Sequence, residues 1–237
     1  MLNIIPCNAQ MPYDIKKVIS RIADQSVFFE VQPLYGKSMV TGFARLGGQA
    51  IAIIANQPMV AAGSITYDAA EKAAHFIDIA NAFHLPVLFL ADNPGIMSGT
   101  QAEQHGTIRS AARMYTAQAQ LRSPKLHITL RKAFGFGSSL MAMNPFDHQT
   151  VTFALPGVTL GGIPAQSGGS AANVDQQTAQ RLAEAEASGA WSTADTMAFD
   201  EIIDPRDMRN ALLKGLELAK ARSADTAQPV LTPTLRP

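Results

Sequence analysis

Apolar and polar positions run along this chain with two different periods. Ile15, Val18, Ile19 and Ile22 fall at helical spacing, and the stretch 3–30 is predicted to be helical. VTGFARLGG and QAIAIIANQP read as two strands joined by a Gly-Gly turn. YDAAEKAAHFIDIANAFH reads as a helix whose apolar stripe is Ala73, Phe76, Ile77, Ala80 and Phe83. Pro86 ends it, and PVLFLA follows as a buried strand. The loop DNPGIMSGT carries a strong turn signal at Asn93-Pro94-Gly95. HGTIRSAARMYTAQAQ is the next helix, ending near Ser123-Pro124, and KLHITL the next buried strand.

That strand runs into RKAFGFGSSLMAMN (131–144), then a short helix, then the strand TVTFALPG. A glycine-rich loop, GGIPAQSGGSAAN, leads to a helix from Val174 to about Ser188. A last helix runs from near Pro205 to about Ala221. Strand, glycine loop and helix thus alternate, which predicts an α/β fold of stacked ββα units or a parallel sheet. We read one domain of 237 residues with its core at about 12–220 and an extended Pro/Thr-rich tail at 223–237.

Composition narrows the possible functions. Apolar residues make up 47% and charged residues 16% of the chain, which points to large buried interfaces and an oligomer. The formal net charge is zero and no basic run stands out, so nucleic acid is not an expected partner. The longest apolar segment is too short to span a membrane, and no signal peptide is recognisable. The single Cys7 allows no disulfide within the chain, and a cytoplasmic protein is expected. No metal constellation appears; Asp147-His148 reads as a turn after Asn144-Pro145.

Two glycine turns at strand exits are the candidate chemistry. Gly137-Ser138-Ser139-Leu140-Met141 lacks the closing glycine of a nucleophile elbow. Ser138 or Ser139 as nucleophile would also need a histidine base, and no spacing marks His75, His84, His105, His127 or His148; these read as surface or satisfied histidines. A phosphate cradle would need a lysine after the glycines, whereas Lys132 precedes them. An oxyanion hole fits better, because the first amides of a helix lack internal partners and glycine lets backbone approach a ligand. A plain glycine turn before a capped helix stays open as an alternative. Gly95 and Ile96 stand on the second turn, and two such turns at one sheet edge can shape one pocket. Arg109 and Arg113, one helical turn apart, can meet an anion or face solvent; Asp200-Glu201 and Glu184/Glu186 read as solvated carboxylates.

GFARLGGQAIAIIANQP, FHLPVLFLADNPGIMSGTQAEQHGTIRSAARM, SPKLHITLRKAFGFGSSLM and FDEIIDPRDMR occur in this order. Together they resemble the C-terminal half of the carboxyltransferase (β) subunit of biotin-dependent acyl-CoA carboxylases such as propionyl-CoA carboxylase, from about Pro12 to Lys220. The resemblance implies a crotonase-like (ClpP/crotonase) fold of repeated ββα units. It implies transfer of a carboxyl group from carboxybiotin to the α-carbon of an acyl-CoA, with biotin carried by a carrier protein and no metal in this chain. Carbon dioxide release within the site and the deprotonated biotin nitrogen as base are part of that implication, so no side-chain base is required. The biotin-side oxyanion hole maps to the amides of Phe136 and Gly137, with Gly95, Ile96, Gly135, Ser138 and Ser139 around the biotin/acyl-CoA pocket. The implied partners are a carboxyltransferase N-terminal half carrying the second oxyanion hole, a biotin carboxylase and a biotin carboxyl carrier protein, in a dimer-based assembly up to a hexamer.

This chain also departs from the family pattern. Phe136 stands for a glycine, Gly137 for an alanine and Ser139 for an aspartate of R-K-x-Y-G-G-A-Y-D, and Leu155–Pro164 and Met208 differ too. The aspartate position bears on acyl-chain choice, which leaves the acyl group open. The rival expectations are an acyl-CoA decarboxylase of the same family, a crotonase-fold serine hydrolase resembling Clp-type proteases, and a non-catalytic assembly module.

Overall fold

The computed structural model describes residues 1–143, 149–165 and 172–223. The 223–237 tail, the Asn144-Pro145 turn with Asp147-His148, and the middle of the glycine-rich loop fall largely outside these residues. The N-terminal helix is shorter than predicted: α1 spans Ile15–Ile22, capped by Asp14, whose side chain accepts from the Lys16 amide. Left-handed backbone at Gln25 and Ser26 ends the helical region, and Phe28–Val31 forms strand β1 instead. Aromatic and β-branched residues in VFFEV favour a pleated surface over a helix.

The hairpin forms as predicted from β2 (Met39–Leu46) and β3 (Gln49–Asn56), turning at Gly47-Gly48. The chain continues through α2 (Tyr67–Ala82), β4 (Val87–Asn93), α3 (Thr100–Gln104), α4 (Thr107–Ala119), β5 (Lys125–Phe134), α5 (Gly135–Leu140), β6 (Gln149–Ala154) and β7 (Thr159–Gly161). It ends with α6 (Gln176–Ala187), α7 (Gly189–Ala194), β8 (Glu201–Ile202) and α8 (Met208–Ser223). In the eight-stranded sheet β1, β2 and β3 are antiparallel neighbours, β3 through β6 and then β8 are parallel, and β7 joins β5.

The repeat lies in how the strands leave the sheet. Beyond a register shift at Ala91/Asn93, the pairing continues as a second short ladder. In it Ile65 bridges Ile96, Asn93 faces Ala133, and Lys132–Phe134 pair with Thr159–Gly161. Each unit thus gives a long segment to the main sheet, a short one to this ladder, and then a helix. That is the expected ββα unit, and the short segments together with the helix starts form the edge where the glycine turns lie.

The apolar runs of β3 and β4 are buried on both faces, as a covered parallel sheet requires. Ile51, Ile53, Ala55, Leu88 and Leu90 pack toward α1 and α8. Ala52, Ile54, Val87, Phe89 and Ala91 pack toward α2 and α4. Ala73, Phe76, Ile77 and Ala80 of the α2 stripe are buried, but Phe83 caps the helix and is 66% exposed. The stripe stops there because the chain leaves the helix before Phe83 can turn inward. Among the described residues no helix is long and apolar enough to cross a membrane.

Candidate active site

Two neighbouring strand exits converge at one edge. β4 runs out into Asn93-Pro94-Gly95, and Gly95 adopts φ +118°, which an L side chain rarely permits. β5 runs out into Gly135, with φ +53°, at the first residue of α5. The two turns touch: a Cβ on Gly137 would lie 2.8 Å from the Gly95 Cα, and one on Gly135 would lie 2.8 Å from the Gly162 carbonyl oxygen. Backbone packs against backbone here, and only glycine leaves room for it.

A cleft of about 460 Å³ opens over this contact. Gly95, Ile96, Gly135 and Phe136 line it, joined by Phe134 and Ile163. Phe136 is 38% exposed and rests on the Tyr115 ring of α4, with centroids 5.5 Å apart. A neighbouring cavity of about 520 Å³ shares Met97 and Ser98 with the first. Tyr67, Asp68, Gln101 and His105 give it polar walls.

Gly137, Ser138 and Ser139 are not on the surface of either cavity. Gly137 is buried against the Gly95 turn. The Ser138 hydroxyl donates to the Gly135 carbonyl at 2.7 Å, a bond within its own helix, and the Ser139 carbonyl accepts from Gln118 Nε2 at 3.1 Å. His127 is wholly buried, with Nδ1 donating to the Met141 carbonyl at 2.7 Å and Nε2 accepting from the Thr129 hydroxyl at 2.7 Å. Burial pulls its pKa down to about 4, so the ring is neutral. This is a satisfied core histidine rather than a base poised on a serine. His75 and His105 are exposed. Arg113 bonds Glu71 across the α2–α4 interface, so it is committed to packing, whereas Arg109 is exposed. Asp200 does more than face solvent: its carboxylate accepts from the Thr152 amide at 2.6 Å and aligns β6 with β8.

Beneath the turns lies a polar layer with no counterpart among the sequence-derived site residues. Arg131 Nε donates to Asp92 Oδ2 at 2.7 Å, and the Lys132 ammonium is 3.9 Å from Asp92 Oδ1. The Arg131 guanidinium also donates to the Asn8 and Met11 carbonyls and lies 4.6 Å over the Tyr13 ring. Burial, with the Asp92 carboxylate adding to it, pushes the Tyr13 phenol well up. Asn56 and Asn93 bond each other at 3.0 Å. A signal was present in the sequence: polar residues at the ends of strands that are otherwise apolar on both faces.

Comparison with known proteins gives the family of the chain. The model of the carboxyl transferase domain matches residues 1–230. A putative propionyl-CoA carboxylase beta chain of Bacillus subtilis (strain 168) is 37% identical over 227 residues, covering 91% of this chain and 44% of that protein. Methylmalonyl-CoA decarboxylase subunit alpha of Veillonella parvula is 33% identical, covering 95% of this chain and 45% of that protein. Among solved structures, the transcarboxylase 12S hexamer with methylmalonyl-coenzyme A and methylmalonic acid bound superposes with a TM-score of 0.86 at 30% identity. It covers 99% of this chain, which matches 46% of that one. The β subunit of P. aeruginosa geranyl-CoA carboxylase gives 0.83 at 27% identity, with 96% of this chain and 46% of that one covered. The chain spans less than half the length of the curated relatives it matches. The fold is the crotonase-like one these carboxyltransferases share, and the chain belongs to the carboxyl transferase domain family.

Proposed function

We propose that this chain is the C-terminal half of a biotin-dependent acyl-CoA carboxyltransferase. One observation carries the reading: the Gly95 turn and the first turn of α5 meet backbone to backbone under a cleft of about 460 Å³. Such a cleft is large enough for a bicyclic ureido ring, and its walls are mostly apolar side chains and glycine backbone, with Ser64 and Ser98 among them. Bound carboxybiotin supplies the carboxyl group and, once that is released, a nitrogen base. The chain's own residues then have two tasks. The amide of Phe136, which lines the cleft, and that of Gly137, directly beneath the lining at the same helix start, hold negative charge on the ureido oxygen. Gly95, Ile96, Phe134 and Ile163 orient the ring and keep water from it. Neither Ser138 nor Ser139 lines the cleft, and neither is given a part in the chemistry. Asp92, Arg131 and Lys132 hold the turns in place from below.

The acyl-CoA thioester is held mainly by an N-terminal half, which brings the second oxyanion hole. A biotin carboxylase and a biotin carboxyl carrier protein complete the cycle, in a dimer-based assembly up to a hexamer in the cytoplasm. Decarboxylation is a second reading, favoured by the Veillonella relative; the same site serves both directions through one transition state.

Carboxyl exchange between malonyl- or methylmalonyl-CoA and free biotin tests the proposal, with the chain alone and with a matching N-terminal half. Exchange that appears only when both are present supports it. A complex that forms and exchanges nothing with either thioester overturns it in favour of an assembly module.

A further inference from the structure

We infer that Asn93 is a positioning residue of this site: its carboxamide sets where the Gly137 backbone stands, and residue 137 is glycine because Asn93 fills the space of a Cβ. The inference rests on reading the first turn of α5 as the oxyanion contact.

Asn93 ends β4 and is wholly buried. Both ends of its side chain are committed. Nδ2 donates to Asn56 Oδ1 at 3.0 Å, and Oδ1 accepts from the Gly95 amide at 3.0 Å. Asn56, which ends β3, also accepts from the Asp92 amide at 3.1 Å and donates to the Gly63 carbonyl at 3.2 Å. The two carboxamides therefore form a buried chain across the exits of β3 and β4, and each partner dictates the orientation of the next.

The exit of β5 joins this chain by contact alone. A Cβ on Gly137 would stand 2.3 Å from Asn93 Oδ1 and 2.8 Å from the Gly95 Cα. A side-chain end can normally swing aside, but Oδ1 cannot move without breaking buried hydrogen bonds at both ends of the amide. The family resemblance places an alanine at this position; here the carboxamide of Asn93 takes the space of that methyl group. The pair forms a single unit, and the Phe136 and Gly137 amides take their position from Asn93 rather than from the neighbouring serines.

A double-mutant cycle on the full chain, paired with its N-terminal half, tests this: Gly137→Ala, Asn93→Ala and both together. Gly137→Ala lowers kcat for carboxyl exchange with free biotin by about 100-fold, the scale of a misplaced contact of about 1 Å. The KM for the acyl-CoA stays within about two-fold, because that substrate is held elsewhere, whereas general damage to the fold would move both constants. Adding Asn93→Ala restores at least about ten-fold of the lost kcat, although Asn93→Ala alone lowers it. Losses that simply add, or Gly137→Ala with wild-type kcat, overturn the inference. The backbone amide resonance of Gly95 and the melting temperature follow the same cycle and require no activity. If wild-type protein exchanges no carboxyl group, the proposed reaction fails, and non-additive shifts at Gly95 still uphold the Asn93–Gly137 unit while additive ones sink it.

Discussion

Arg131 Nε donates to Asp92 Oδ2 at 2.7 Å, with both side chains buried, and this pair joins β4 to β5 directly below the two glycine turns. Arg131→Met strips the carboxylate of its main partner and leaves the Asn8 and Met11 carbonyls without their donor. Loss of one member of a buried pair costs about 3–5 kcal/mol. Urea unfolding is expected to show a deficit of that size at neutral pH and a smaller one near pH 5. The sign follows from burial, which pushes the Asp92 carboxyl up, so the stripped group takes a proton in the folded state before it does so in the unfolded chain. A deficit that does not change with pH would show that the charge of Asp92 is not the cause.

His127 makes the fold acid-sensitive. Its folded-state pKa lies at about 4 against about 6.5 when unfolded, so between these values the unfolded chain binds the extra proton. The stability it contributes is complete above pH 6.5 and is lost as pH falls toward 4, up to about 3 kcal/mol in all. Thermal melts from pH 7.5 to 4 should follow this slope, and His127→Gln should flatten it. The Met141 carbonyl at the end of α5 loses its donor in that variant, so exchange activity falls as well.

Ser138→Ala with Ser139→Ala is expected to keep carboxyl exchange within a few-fold of wild type. The Ser138 hydroxyl bonds back to its own helix, the Ser139 carbonyl accepts from Gln118, and neither residue lines the cleft. Complete loss in the purified complex, with an unchanged melting temperature, would bring the serine hydrolase reading back.

Lys72 is buried in α2 and donates to the Tyr35 and Met39 carbonyls at 2.9 and 2.8 Å. Lys72→Met keeps the volume but leaves both carbonyls unpaired, at about 1–3 kcal/mol each. Burial brings the Lys72 pKa down to about 8. The unfolded chain therefore holds the extra proton between pH 8 and about 10.5, and wild-type stability gains on the variant as pH rises through that window. Guanidinium melts of both proteins at pH 7.5 and pH 9.5 check the sign.

Period and punctuation carried much of the fold. The helical spacing of Ala73, Phe76, Ile77 and Ala80, the Gly47-Gly48 turn and the apolar runs of β3 to β5 are local signals, and each formed the element it predicts. The short segments were not legible. β1, β7 and β8 have two to four residues and exist because a neighbouring strand edge pairs with them. The glycine turns stood out as turns, and their contact follows from neighbouring strand exits. The support beneath them was hidden because Asn56 and Asn93 are 37 residues apart, and Asp92 and Arg131 39. Only the fold brings such partners together; read alone, each is a polar residue at the end of a strand.

The edge of β5 is shared by two strands. Lys125–Thr129 pair with β6 over five positions, while Lys132–Phe134 pair with β7 over three. The second contact forms the outer wall of the cleft, where Phe134 and Gly135 face Gly162 and Ile163. Besides these three ladder positions, Leu160 packs on the core and Gly189 of α7 lies close against the Val158 and Leu160 backbone, so tertiary packing shares in holding this wall. The cleft therefore has two kinds of boundary: a floor continuous with the main sheet and an outer wall attached to it by a short ladder.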